Sequence, residues 1–327
     1  MSSDRYDILQ KLGDGHFTLG VFLAEHKDLQ RTVALKLIEV GPGVHRDDLL
    51  QEARAMAALA PHDNVVQVLD AGDWDSDTVY IASEPCTDGS LDSLSSPIGL
   101  DPATACRFTS DVCRGLEYMH SEGMLHLDIR PAIVLLSAGE PKLCDFGLAR
   151  WTTNANVPSV YAPHAAPELL ATYDGSEASD QYAMAMTLAH VLSGGAICSM
   201  PPDPPDPRLW KGWDPLGALD INIPAKLVRV LKRATSYNPT KRYKSVEEFK
   251  RAVDGAAPTT SFLPPRNDSV ESTDGSWRIE WSSKRGGITV EVLCNGRRKN
   301  RMGIKGADDQ VFRRHMHGLI SEFAAPR

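Results

Sequence analysis

The chain has 327 residues, 42% hydrophobic and 24% charged, with a net charge of −8 at pH 7. That mix excludes collagen-like, mucin-like and wholly disordered chains, and the length suggests about two folding units of roughly 150 residues each. No apolar run approaches the roughly 18 residues of a membrane helix, and residues 1–5 lack the apolar core of a secretion signal, so a cytoplasmic protein without membrane contact is expected.

Short alternating stretches predict strands over 6–12, 21–25, 32–38, 66–69 and 78–83. One helix interrupts them over 46–60, where Leu49, Leu50, Ala53, Met56, Ala57 and Leu59 recur at three- and four-residue spacing before Pro61. Beyond Leu91 the pattern turns helical, over 102–122, 177–192, 225–235 and 245–253. A small β-rich lobe over 1–86 therefore precedes a larger α-rich lobe over 87–254, an α+β arrangement. Residues 255–275 are rich in Pro, Ser and Thr around Pro264-Pro265 and predict a flexible linker.

Residues 276–327 predict a small basic α/β module. Trp277, Ile279 and Trp281 alternate with Arg278 and Glu280, and Ile288, Val290 and Val292 alternate after Gly286-Gly287, a strand-pair pattern. Asn295-Gly296 is a second hairpin signal, and a helix from about Asp308 offers Phe312, Met316, Leu319, Ile320 and Phe323 as its apolar face. From Gly275 onward there are 11 Lys and Arg against 5 Asp and Glu, a net +6 that leaves −14 on the rest. Lys284, Arg285, Arg297, Arg298, Lys299, Arg301 and Lys305 cluster around the turns. Docking of this surface on the acidic remainder of the chain, or on a protein partner, is the favoured expectation. A nucleic-acid surface using Trp277 and Trp281 is the weaker one, and a plain solvated surface is the third.

Five ordered motifs carry the chemistry. Leu12-Gly13-Asp14-Gly15 lies between two strands, where glycines let backbone amides approach a phosphate. Lys36, in Val33-Ala34-Leu35-Lys36, lies on the third strand, and Glu52 on the following helix can pair with it. His126-Leu127-Asp128, Asp145-Phe146-Gly147 and Ala166-Pro167-Glu168 then follow in order. Isolated salt bridges and helix caps would have to match this order by accident. With these residues the sequence resembles the protein kinases, specifically the eukaryotic-type serine/threonine kinases also found in bacteria, over about residues 6–253.

The resemblance implies a bilobal kinase fold with a C-terminal appendage, ATP and Mg²⁺ (or Mn²⁺) as cofactors, and a protein substrate. Position by position it implies that Lys36 holds phosphates, Glu52 braces Lys36, Asp128 accepts the substrate hydroxyl proton and Asp145 ligates the metal. Leu12, Gly13, Gly15 and Val21 match the phosphate-loop rim, Ala34 and Leu135 the residues that sandwich adenine, Glu84 to Cys86 the linker that hydrogen-bonds it, and Ser83 the gatekeeper. Asp180 and the Glu168–Arg242 pair match lower-lobe braces. Met56, Val68, His126 and Phe146 match side chains stacked between the lobes.

Departures from the family pattern are equally specific. Ile133 stands where a metal-binding asparagine is expected, and isoleucine cannot ligate a metal. Arg130 replaces a lysine, keeping the charge without the point geometry. Leu127 replaces the arginine that reads activation-loop phosphate, Thr18 replaces the third glycine, and Val160-Tyr161 replaces a Gly-Thr pair. Two readings follow: an active kinase, weakened at the metal, and a pseudokinase that binds nucleotide or partners without turnover.

Other features have plainer readings. Six scattered cysteines without a C-x-x-C pair fit neither a disulfide framework nor a zinc site. Cys144 is expected as a small strand residue rather than a reactive thiol. The prolines of 201–207 suit a rigid loop, and His315 and His317 are too poorly spaced for a metal pair.

Overall fold

Alternation along residues 31–39 sets the layout of the upper lobe. A computed structural model describes the chain except residues 1, 15–17, 42–45, 58, 158, 197–200, 202–205, 211–213, 218, 285–286, 306–308 and 325–327. Strands β1 (Tyr6–Gly13), β2 (Gly20–His26), β3 (Arg31–Glu39), β4 (Val68–Asp73) and β5 (Thr78–Ser83) form one antiparallel sheet in the order β1-β2-β3-β5-β4. Val33, Leu35 and Leu37 of β3 join Tyr6, Ala24, Tyr80 and Ala82 in one buried cluster. Because strand side chains alternate, Ala34, Lys36 and Ile38 share the opposite face. There Ile38, Val79 and Ile81 pack with Ala53 of helix α1 (Arg46–Ala57). The helix ends earlier than the expected residue 60, and the fourth strand begins at Val68 because the amide of Val66 bonds to Leu143 O at 2.8 Å instead.

The lower lobe comprises α2 (Leu91–Ser95), α3 (Pro102–Ser121), β6 (Met124–Leu125), β7 (Val134–Ser137), β8 (Glu140–Leu143), β9 (Arg150–Trp151), α4 (Pro167–Thr172), α5 (Glu177–Ser193), α6 (Pro207–Trp210), α7 (Ala225–Ala234) and α8 (Val246–Asp254). Local chemistry starts its two long helices. Asp101 caps α3 by accepting from the amides of Ala103 (3.1 Å) and Thr104 (3.2 Å), with Pro102 in the first turn. Ser176 and Ser179 cap α5 reciprocally, and Gly194 ends it at φ 61°, where an added Cβ would meet the carbonyl of Pro97. Helices α3, α5, α7 and α8 enclose the main core, which also takes in Met56 of the upper lobe. The two lobes thus make the bilobal α+β architecture anticipated above.

The C-terminal unit is a four-stranded antiparallel sheet, β10 (Ser269–Glu271), β11 (Trp277–Lys284), β12 (Gly287–Cys294) and β13 (Arg297–Lys305), in sequential order, covered by α9 (Asp309–Ala324). Asn295 and Gly296, at φ 48° and 72°, turn β12 into β13. Ile279, Val290, Val292 and Ile304 pack beneath Phe312, Met316, Leu319 and Ile320.

Residues 255–275, expected as a flexible linker, are instead packed. Phe262 and Val270 are each 1% exposed, Ser269–Glu271 is a strand, and Ser261 Oγ accepts from the amide of Ala103 at 2.8 Å. Apolar residues spaced among prolines escaped the composition argument. Ile221 of the lower lobe joins the same cluster, and Asn222 Nδ2 donates to Phe262 O at 3.0 Å. Helix α9 lies against α7, with His317 Nδ1 bonded to Ile223 O (2.7 Å) and Ser321 Oγ accepting from the amide of Ala225 (2.7 Å). Trp277 and Trp281 stack on Phe323 and Phe312, at 4.7 and 5.6 Å between ring centroids. Both are half-buried against the core of this unit, which leaves less open ring surface than the nucleic-acid expectation called for.

Candidate active site

The site is assembled from the middle of β3 and the loops around β6, β7 and β8. Lys36 Nζ reaches Asp145 Oδ1 at 2.6 Å, joining positions 109 apart in sequence and belonging to opposite lobes. Burial alone would raise the Asp145 pKa, but Lys36, as nearby charge and hydrogen-bond donor, overrides it and holds the carboxyl below the usual range. Asp145 has φ 57°, a left-handed conformation that aspartate tolerates better than most residues. Among the described residues its Oδ2 takes no hydrogen bond.

Asp128 sits on a loop fastened from below. Asp180, completely buried at the start of α5, accepts from the amides of His126 (Oδ2, 2.9 Å) and Leu127 (Oδ1, 2.8 Å) and contacts His120 Nε2 at 2.9 Å. Leu127 lies at φ 64° against Gly175, whose missing Cβ makes room for it. His126 Nε2 bonds to Cys144 O at 3.1 Å, and its ring faces Phe146 at 5.3 Å, so the Asp128 loop and the Asp145 loop are tied directly. Met56 and Phe146 belong to the main core, with Val68 packed against it. Burial raises the Asp128 pKa, partly offset by Arg130, whose Nε lies 3.3 and 3.2 Å from the two carboxylate oxygens.

Ile133 is 3% exposed and belongs to the lower-lobe core. Its main chain still braces the loop: its amide donates to Arg130 O (3.1 Å) and its carbonyl accepts from Cys144 N (3.0 Å). Behind the loop, Arg242 grips both oxygens of Glu168 at 2.6 and 2.8 Å and donates to Ala178 O and Ser236 O, each at 2.8 Å. This fixes the Ala-Pro-Glu turn with a buried, bidentate pair.

The other expected residues are placed as follows. Ala34 pairs with Ser83 across β3 and β5, and Leu135 is half-buried on β7. Glu84 accepts from Gln67 N (2.9 Å) and from Lys142 Nζ (2.9 and 3.0 Å), so its side chain is engaged. Its backbone carbonyl and the amide of Cys86 have no hydrogen bond among the described residues. Val21 is half-buried, Leu12 is 37% exposed, and Gly13 has open space around its missing Cβ. Gly15 and the side chain of Glu52 lie outside the described residues, as do Cys198, Arg285 and most of the prolines of 201–207. Burial raises the Cys144 thiol pKa, which fits a strand residue better than a nucleophile.

Three contacts had no sequence signal. Lys142 locks Glu84, His120 backs Asp180, and the Arg130 guanidinium lies 5.1 Å from the centre of the Tyr161 ring. Tyr161 and Arg130 are both departures from the family pattern and stack on each other, a cation–π contact that a threonine could not make.

Comparison with known proteins agrees with the geometry. The model of the protein kinase domain matches residues 6–249. A probable protein kinase of Dictyostelium discoideum is 36% identical over 152 residues, 44% of this chain and 19% of that protein. The serine/threonine-protein kinase PknK of Mycobacterium bovis is 33% identical over 200 residues, 58% of this chain and 18% of PknK. The serine/threonine-protein kinase PknI of Mycobacterium tuberculosis is 31% identical over 252 residues, 72% of this chain and 39% of PknI. The chain thus spans well under half the length of these relatives. With the domain model covering residues 6–249, most of the chain and both lobes, the chain belongs to the protein kinase family.

Proposed function

We propose that the chain is a serine/threonine protein kinase that moves the γ-phosphoryl group of ATP to a protein hydroxyl, using one divalent ion. The observation that carries this reading is the 2.6 Å pairing of Lys36 with Asp145 across the lobes, beside an Asp128 held by its own loop. Phosphoryl transfer spreads negative charge over the moving group, so positioning and charge neutralisation are most of what a protein can supply.

The residues present fit the implied groups. Glu84 O and Cys86 N offer an adjacent acceptor and donor, the pair an adenine edge needs. Asp145 stays anionic because Lys36 depresses its pKa, and its Oδ2 is available to Mg²⁺ or Mn²⁺. Ile133 supplies no ligand, so the set suits one ion completed by phosphate and water oxygens rather than two. Such an ion would neutralise phosphate charge. Lys36 would hold the nucleotide phosphates. Asp128, raised by burial and oriented by Arg130, would take the hydroxyl proton as the oxygen attacks phosphorus and the bond to the ADP oxygen breaks. Leu12, Gly13 and Val21 would cover the phosphates, and Ala34 and Leu135 would flank the ring.

The test is transfer of labelled phosphate from ATP by purified chain with Mg²⁺ or Mn²⁺. Incorporation that disappears in Asp128→Ala supports the reading, and no incorporation into itself or generic substrates opposes it. A second reading, a pseudokinase, is favoured by one observation: the buried apolar side chain of Ile133 at a metal position. It predicts stabilisation by nucleotide without turnover, and robust phosphorylation by the unmodified chain removes it. The α7–α9 hydrogen bonds support the expectation that the C-terminal unit docks on the kinase lobes.

A further inference from the structure

Between α7 and α9 lies a cleft of about 410 Å³ whose lining includes neither Lys36 nor Asp145. One wall is the lower lobe, carrying Arg229 and Lys232 on α7. The other is the C-terminal helix, carrying Arg313, Arg314 and His317. Val228 supplies apolar surface between them, with Leu216 and Leu219 almost wholly buried at its base. We propose that this cleft binds a small phosphate-bearing molecule with an apolar or ring-shaped body, and that its occupant clamps the C-terminal unit to the lower lobe.

The charge arrangement carries the proposal. The two carboxylates on the lining do not balance its four Lys and Arg: Asp309 Oδ2 accepts from Arg313 Nε at 2.7 Å within the cleft, and Asp214 Oδ1 accepts from the amide of Leu216 at 3.0 Å, while Asp220, outside the lining, acts on Arg313 and His317. Arg313 also donates to Leu219 O at 3.1 Å. Arg229, Lys232 and Arg314 form no ion pair among the described residues. The walls are within electrostatic reach of each other. After burial, the charges that most lower the His317 pKa are Arg313 from its own helix and Lys232 from the opposite wall. Like charges facing across a cleft repel, and an anion between them replaces repulsion with charge-assisted hydrogen bonds to both walls.

Size and lining restrict the ligand. The volume falls within the roughly 300–1,000 Å³ of small-molecule sites. Bare phosphate would leave Val228 and the aliphatic stems of Arg229 and Arg314 uncovered, whereas an attached ring or short apolar body would cover them. The site owes nothing to the catalytic reading and stands or falls separately from it.

Calorimetric titration of the full chain with phenyl phosphate, at low salt and without divalent ions, tests the site. The expected result is one-to-one binding at sub-millimolar Kd. Inorganic phosphate should bind about tenfold more weakly, because it buries no apolar surface. The exposed pair Arg229→Glu with Arg314→Glu should weaken phenyl phosphate binding roughly a hundredfold, reflecting two lost charge-assisted bonds. Arg229→Lys with Arg314→Lys should restore most of it, which separates lost charge from lost folding. Binding should persist in Lys36→Met, since the nucleotide cleft is elsewhere. The proposal is overturned if binding does not saturate by about 10 mM, if the glutamate pair leaves it unchanged, if Lys36→Met abolishes it, or if phosphate and phenyl phosphate bind alike.

Discussion

Under the catalytic loop, Asp180 is completely buried and accepts two backbone amides, and Arg242, 2% exposed, distributes its donors over Glu168 and two carbonyls. Along the phosphate side of the cleft, Leu12 is 37% exposed, Gly13 has open space around it, and Ile133 replaces a ligand with hydrocarbon. The brace beneath the loop is densely bonded, while Leu12 and Gly13, described residues of the glycine-containing rim, are exposed. The contrast is one of packing: the residues that hold the Asp128 loop are buried and fully bonded, while those on the glycine-loop side of the cleft are exposed or apolar.

That contrast can be broken most forcefully from the chemical side. Asp128→Ala should lower the transfer rate by about 10²–10⁴-fold, the worth of a positioned general base, while leaving thermal stability within a few degrees of the parent. Rate and melting temperature, measured on the same sample, check both halves. The structural side should respond in the opposite sense. Arg242→Met strands Glu168 and several carbonyls, so chemical denaturation should show a loss of about 3–5 kcal/mol. A loss below about 1 kcal/mol would place this pair with ordinary surface bridges and dissolve the comparison.

Ile133→Asn sharpens the contrast because it trades one side for the other. An amide there restores a metal-ligating oxygen and should raise the Mg²⁺-dependent rate if ligation is the only defect. The same change puts a polar group into the lower-lobe core and should cost about 2–4 kcal/mol in stability. An unchanged rate would move the defect to the phosphate loop around Thr18.

The smallest effect is one of pH. His164 is buried, with both ring nitrogens lacking a hydrogen-bond partner among the described residues, and burial first, then His190 and Arg130, push its pKa down to about 3 from 6.5. The unfolded chain takes up this proton as pH falls through 6.5 and the folded chain does not. Its contribution to stability is therefore full above 6.5 and is lost progressively between 6.5 and 3, at about 1 kcal/mol per pH unit. His190 shifts in the same direction. Denaturation of the parent and His164→Phe between pH 7 and 5 should show a shallower slope in the variant, and equal slopes would contradict the assignment.

What could be read in the sequence follows the range of the interactions. The long helices announced themselves through local chemistry, Asp101 capping α3 and Ser176 capping α5. The residues proposed as catalytic stood out because phosphoryl transfer demands particular residue types in a particular order. Alternation likewise exposed the inner face of the C-terminal sheet, Ile279, Val290 and Val292. Contacts between distant positions left no local trace: Lys142 with Glu84, His120 with Asp180, and Arg130 with Tyr161. Residues 255–275 misled for a related reason, since Phe262 and Val270 are buried by partners that local composition does not reveal.

The central claim is that a metal-bound triphosphate is held between Lys36 and Asp145. Its most direct test is ATP binding by calorimetry with and without Mg²⁺, in the parent chain and in Asp145→Asn. The account predicts that Mg²⁺ tightens binding by the parent at least about tenfold, roughly 1.4 kcal/mol, and that Asp145→Asn abolishes the enhancement while metal-free binding persists. Binding indifferent to Mg²⁺ in the parent, or the same enhancement in Asp145→Asn, would contradict it.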